Sequence, residues 1–198
     1  MNDYKLILAT RHLTRDGKSE RITPMDFVLG GHLRSCIDDL AKEYNLSSTA
    51  ITSGFSEDSS VDIGRTENTA EAFGYLHVET NRILSFSPDN DFKTIPWEGN
   101  FADVVKALKD KWPGTIKIAQ THGNLYKRIV SEMDPSDARH LFTHGMRPEA
   151  AIAYLNPKVA EKLGNSLGYG ETLALRVERN YNFEPTAIIR RDGIHEVR

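Results

Sequence analysis

An arginine and a histidine stand side by side at the end of the first apolar run, Tyr4-Lys5-Leu6-Ile7-Leu8-Ala9-Thr10-Arg11-His12. The run reads as a short buried strand. A guanidinium and an imidazole are therefore delivered together at a strand's C-terminal edge, where open α/β sheets bind ligands. Arg15 follows His12 closely enough for one loop to fold both arginines around an anion. Guanidinium groups match phosphate oxygens bidentately, and a neutral imidazole among them is a nucleophile or a base. A second strand-like run, Ile116-Lys117-Ile118-Ala119-Gln120-Thr121, ends in His122-Gly123. Two strand-ending histidines with clustered arginines make a pocket suited to a phosphoryl group.

The elements that must carry these residues can be read from periodicity. Thr23 is an N-cap and Pro24 suits the first helical position. Met25, Leu29, Leu33, Ile37, Leu40 and Tyr44 then recur at helical spacing and define one apolar face. Gly30-Gly31 inside this helix predicts a close packing contact. Thr49–Ser53 reads as a second strand, and a polar loop runs from Gly54 to Gly64. A helix opens at Arg65. Residues 82–99 carry no clear pattern. Asn100 caps a further helix, with Asp103 in its first turn, which stops at Trp112-Pro113-Gly114.

Beyond that breaker the spacing predicts a strand over 115–121 and a helix over 124–133. Asn156-Pro157 caps a short helix. Two alternating runs, 172–177 and 186–190, and a turn at Asp192-Gly193 close the chain as a hairpin. Strands alternating with helices predict an α/β fold: a three-layer α/β/α sandwich with a largely parallel, mixed sheet. All 198 residues are expected to form one domain.

The bulk composition excludes more than it assigns. The chain is 39% hydrophobic with a formal net charge of -3, and its mean hydropathy is -0.47. These values are ordinary for a globular protein and call for neither nucleic acid nor membrane as a partner. No apolar stretch approaches the length of a membrane span, and no leader peptide is apparent. The single cysteine, Cys36, cannot form an internal disulfide and falls on the apolar stripe of its helix. A cytoplasmic location is expected. His32, His77, His140 and His195 lack ligand spacing for a metal, no nucleotide loop is present, and no cofactor is expected.

The order and context of these motifs resemble the histidine phosphatase superfamily, the phosphoglycerate-mutase-like fold. That family opens with Arg-His-Gly after its first strand, continues with an Arg-Thr-x-x-Thr-Ala-like helix start, and later presents a strand-terminal His-Gly. The matches here are Arg11-His12, Arg65-Thr66-Glu67-Asn68-Thr69-Ala70 and His122-Gly123. The family's glycine after the first histidine is Leu13 in this chain. Arg15 points to the acid-phosphatase branch, whereas His122-Gly123 does not, so the branch stays open.

The resemblance implies a phosphatase that hydrolyses a phosphomonoester or phosphoprotein through a phosphohistidine on His12. Arg11, Arg15, Arg65 and His122 would hold the phosphoryl oxygens, and Arg65 would add the field of a helix N-terminus. The family draws its leaving-group acid from Glu or Asp. Glu98, beside Trp97, is the candidate, with Asp16 and Glu20 as rivals. The alternatives are a phosphoglycerate-mutase-type phosphotransferase and a non-catalytic phosphate-binding or interaction protein on the same fold. The partner expected is a small phosphorylated substrate. Thr143-His144-Gly145 repeats Thr121-His122-Gly123, but it follows Asp137-Ala138-Arg139-His140-Leu141-Phe142, which does not read as an apolar strand. His122 is therefore assigned to the site, and His144 is read as a loop residue.

Overall fold

In a computed structural model, residues 3–13, 23–53, 64–85 and 100–197 are described. The first strand, β1 (Lys5–Arg11), is buried from Leu6 to Thr10 with half-buried ends. Helix α1 (Pro24–Leu40) begins as the sequence predicts: Thr23 and Asp26 form a reciprocal capping box. Two short strands follow, β2 (Asn45–Leu46) and β3 (Thr49–Thr52), then α2 (Arg65–Ala72) and β4 (His77–Thr80). After a single 3-10 turn at Arg82–Ser85 come α3 (Phe101–Lys109), α4 (Pro113–Ser131), β5 (Asp137–Thr143), α5 (Arg147–Leu155) and α6 (Pro157–Ala160). Strands β6 (Thr172–Val177), β7 (Phe183–Arg190) and β8 (Gly193–Glu196) end the chain.

These strands form one mixed sheet in the order β4-β3-β5-β1-β6-β7-β8, with β2 pairing alongside β5. The half from β4 to β1 is parallel. The half from β1 to β8 is antiparallel. Alternation along the strands divides the core in two. Ile7, Ala9, Leu141 and Leu173 pack toward α3, α4 and α5. Leu6, Leu8, Phe142 and Ala174 pack toward α1 and α2. This is the three-layer α/β/α arrangement expected from the sequence.

One pair of assignments is reversed. Residues 115–121 are not a strand: they are the first half of α4, and the helix expected over 124–133 is its continuation. The buried positions Ile118, Ala119, His122, Leu125, Tyr126, Ile129 and Val130 keep one helical stripe across both segments. Conversely, Asp137–Thr143 is a central strand flanked by β3 and β1. Its polar residues hid it. Arg139 bonds Ser47 Oγ at 2.8 Å. His140 is wholly buried yet satisfied on both ring nitrogens, by Thr10 Oγ1 at 2.6 Å and Tyr75 OH at 3.0 Å. Burial, reinforced by Arg34, holds the His140 pKa well below the usual imidazole range.

The α1 glycines also divide. A Cβ at Gly30 would lie 2.4 Å from the Ala72 carbonyl oxygen, so α1 meets the end of α2 there, whereas Gly31 faces open space. Met25, expected on the apolar face, is exposed.

Candidate active site

The parallel register of β1 and β5 pairs Arg11 with Thr143 at their C-terminal ends. The next residue on each strand is a histidine, His12 and His144. The ladder continues one bond further, from the His12 N–H to the Thr143 carbonyl at 3.0 Å. Adjacent strands therefore bring the imidazoles together, with ring centroids 5.1 Å apart at 63°. Both side chains are buried. This is the edge of the sheet where α/β proteins collect ligands.

Arg11 is fixed by several neighbours. Its Nη1 donates to the Leu167 carbonyl at 2.7 Å. Its guanidinium lies 4.1 Å from the ring centroid of Tyr169, a cation–π contact. Tyr169 also approaches His12, at 5.4 Å between centroids. The loop carrying Tyr169 is pinned to β1 by backbone bonds from Arg11 N to Glu171 O and from Gly170 N to Arg11 O. Arg190 holds Glu171 in turn, with Nη1 at 3.0 Å from Oε2.

Leu13, which stands where the resembled family has glycine, buries its side chain. The room comes from Gly170, where a Cβ would meet Leu13 Cδ2 at 2.5 Å.

Arg65 is the first residue of α2, and the start of α2 is stitched to the end of β3. Thr52 Oγ1 donates to Glu67 Oε1 at 2.9 Å, and Thr66 Oγ1 donates to Glu67 Oε2 at 3.1 Å. The Ser53 N–H donates to Thr66 Oγ1 at 3.2 Å. Ser53 Oγ then lies 3.1 Å from His144 Nε2, so the same stitching orients this imidazole.

The remaining wall is the turn into α5. Met146 adopts a left-handed conformation, φ 69°, and carries the chain sharply from Gly145 into Arg147. Arg147 Nη1 donates to the Gly145 carbonyl at 2.9 Å.

Arg11, His12, Arg65, His144, Gly145, Met146 and Arg147 line one pocket of about 310 Å³. Among the described lining residues there are three guanidiniums and no carboxylate. Burial pushes the His144 pKa down to about 3, helped by Arg147, then Arg65, His122 and Arg11. His144 is thus a neutral imidazole at ordinary pH, a site built to receive negative charge. Another cleft of about 250 Å³, beside Ile51, Glu79 and Arg139, has no such concentration of chemistry.

Of the residues expected from the sequence, Arg11, His12 and Arg65 come together. His122 does not line the pocket: it is buried within α4. The strand end it was assigned to belongs to His144. Arg15 and Glu98, with Asp16, Glu20 and Trp97, lie outside the described residues. Sequence reasoning missed His144, Arg147 and Tyr169. Thr-His-Gly was the available signal for His144, and it occurs twice.

No family model matches the chain, and neither does any curated protein. Solved structures do match. A phosphoserine phosphatase from Entamoeba histolytica, in complex with 3-phosphoglyceric acid, aligns over 93% of this chain and 96% of its own at 12% identity, TM-score 0.59. The chain shares the fold of this phosphatase. A phosphoglycerate mutase from Bacillus anthracis covers 99% of this chain and 93% of its own, at 12% identity and TM-score 0.60. The alpha-ribazole phosphatase from Shigella flexneri covers 98% and 100%, at 14% identity and TM-score 0.58. The phosphoglycerate-mutase-like fold thus aligns with 99% of this chain. Among the described residues no helix is long and apolar enough to cross a membrane, and no cluster of His, Cys, Asp or Glu could hold a metal ion.

Proposed function

We propose that the protein is a phosphomonoesterase that works through a phosphohistidine on His12. One observation carries this reading: His12 and His144 stand side by side on neighbouring parallel strand ends, 5.1 Å apart, in a pocket walled by Arg11, Arg65 and Arg147. A ring nitrogen of His12 attacks phosphorus as the ester P–O bond breaks. Arg11, Arg65 and His144 hold the non-bridging oxygens and stabilise the charge they carry in the transition state. The departing alkoxide takes a proton from a carboxylic acid, for which Glu98 is the candidate. Water then attacks the phosphohistidine, freeing inorganic phosphate and His12. The covalent step divides one difficult displacement into two easier ones.

The test is turnover of a panel of phosphate esters by the purified protein, with mass spectrometry under non-acidic conditions after rapid mixing. Wild-type protein is expected to release phosphate and show an acid-labile phosphoryl adduct on His12. Full turnover by His12→Ala would end this reading. Transfer of the phosphoryl group to a second substrate hydroxyl instead of water would make the protein a mutase.

A further inference from the structure

Glu149, in the first turn of α5, is wholly buried and does not line the pocket. A carboxyl group out of water is costly unless its oxygens find donors. Here one oxygen does: Oε1 accepts the Leu167 N–H at 2.9 Å, while Oε2 has no hydrogen-bond partner among the described residues. Burial pushes the Glu149 pKa up, opposed by backbone N–H groups and then by Arg11 and Arg147. The residue that Glu149 holds is also the anchor of Arg11, whose Nη1 donates to the Leu167 carbonyl at 2.7 Å. Leu167 thus joins carboxyl to guanidinium, its N–H on one and its carbonyl on the other. It also starts the loop that lays Tyr169 against the Arg11 guanidinium, 4.1 Å from the ring centroid. The next N–H of that loop, from Gly168, donates to Glu171 Oε2 at 2.8 Å. Two carboxyl groups therefore hold successive N–H groups of the loop that grips Arg11. Methionine would fill the space of Glu149 without burying a polar group. What the carboxyl adds is an acceptor for Leu167.

We propose that Glu149 is a positioning residue: by accepting the Leu167 N–H it fixes the carbonyl that aims Arg11 at the phosphoryl group. This deepens the phosphomonoesterase reading above and rests on it. Arg11 lines the pocket with its Nη1 already tied to Leu167. Without the acceptor at Glu149, the Leu167 N–H is buried and unpaired, and the loop shifts to satisfy it. Arg11 moves with the loop. A guanidinium that stabilises charge in the transition state is sensitive to such a displacement, so the loss falls on kcat more than on KM.

The experiment measures kcat and KM on p-nitrophenyl phosphate, and the melting temperature, for substitutions of Glu149. Glu149→Gln keeps an acceptor oxygen and should stay within about threefold of wild type, because the bond to Leu167 survives. Glu149→Met keeps the volume but has no oxygen, and should lose roughly 10–100-fold in kcat, the scale for a displaced positioning group. Glu149→Asp keeps the carboxyl but draws it back by a methylene, away from Leu167. It should lose as much as Glu149→Met, and it carries the test if Glu149→Met does not fold. A double-mutant cycle separates positioning from packing. In an Arg11→Ala background the same substitutions should change kcat/KM by no more than about twofold, because the group they act through is gone. Full kcat in Glu149→Met and Glu149→Asp would overturn the proposal. So would a Glu149→Gln enzyme as impaired as Glu149→Met, or a loss of the same size with and without Arg11. Wild-type protein inert even toward p-nitrophenyl phosphate would instead withdraw the phosphomonoesterase reading, and this proposal with it.

Discussion

Gly145 and Arg11 are fitted to each other: a Cβ at position 145 would lie 3.0 Å from both Cζ and Nε of Arg11. That is closer than ordinary van der Waals contact between carbon atoms. The end of a long side chain can yield, so Gly145→Ala should fold but displace the guanidinium. The expected result is a fall of roughly 10–100-fold in kcat/KM on p-nitrophenyl phosphate, as for other small displacements of a positioning group. The melting temperature should change little. Wild-type kcat/KM would show that Arg11 does not depend on this glycine.

The sister motif should respond in the opposite way. A Cβ at Gly123 would meet Tyr154 Cδ1 at 2.4 Å, within the packing of α4 on α5. Gly123→Ala is therefore expected to destabilise the fold by about 1–3 kcal/mol, the usual range for overpacking. The kcat of the folded enzyme should stay near wild type. Denaturant titration alongside kcat measurement distinguishes the two glycines.

The two histidines should separate likewise. His144→Gln is expected to lower kcat by roughly 10²–10³-fold, the scale for losing one preorganised transition-state donor. His122→Gln should keep kcat within a few fold but lower stability, because His122 is buried in α4. The reverse pattern would return the catalytic assignment to His122.

Stability should fall as the pH drops below about 6.5, the ordinary imidazole value. Folded His144 has a pKa of about 3, so between these values the unfolded chain binds a proton that the native state refuses. His140 acts in the same direction. Both contributions are fully present at pH 7 and are lost progressively toward acid. Melting curves from pH 4.5 to 7.5 should rise more gently with pH for His144→Gln than for wild type. Parallel curves would count against a buried, neutral His144.

Tyr169 offers its ring face to Arg11. Tyr169→Phe keeps that face and should preserve kcat/KM. Tyr169→Leu removes it and should lower kcat/KM by about 2–30-fold, the usual worth of such contacts. Equal behaviour of the two variants would mean the ring serves only as bulk.

The fold and half of the pocket were legible because their signals are local. Arg11-His12 follows an uninterrupted apolar run, and the start of α1 has a complete capping box. The strand ahead of the second histidine was misplaced for two physical reasons. Ile116-Lys117-Ile118 alternates like a strand, yet the stripe continuing to Val130 is helical. Strand β5 looks polar because His140 and Arg139 find their partners in Thr10, Tyr75 and Ser47, far away in the sequence. A repeated Thr-His-Gly then offered no local tie-breaker. Its glycine serves a helix crossing in one case and an arginine in the other, a distinction that exists only in three dimensions.

The pairing of β1 with β5 also sets the order in which competence can return after denaturation. These strands are parallel neighbours separated by most of the chain, so joining them closes a long loop before any contact rewards it. Local elements such as α4 and the β7–β8 hairpin need no such closure. Helical signal should therefore recover early in refolding, while hydrolysis waits for the slowest phase, when His12 first acquires its neighbour. Regain of turnover becomes a clock for the arrival of one particular strand.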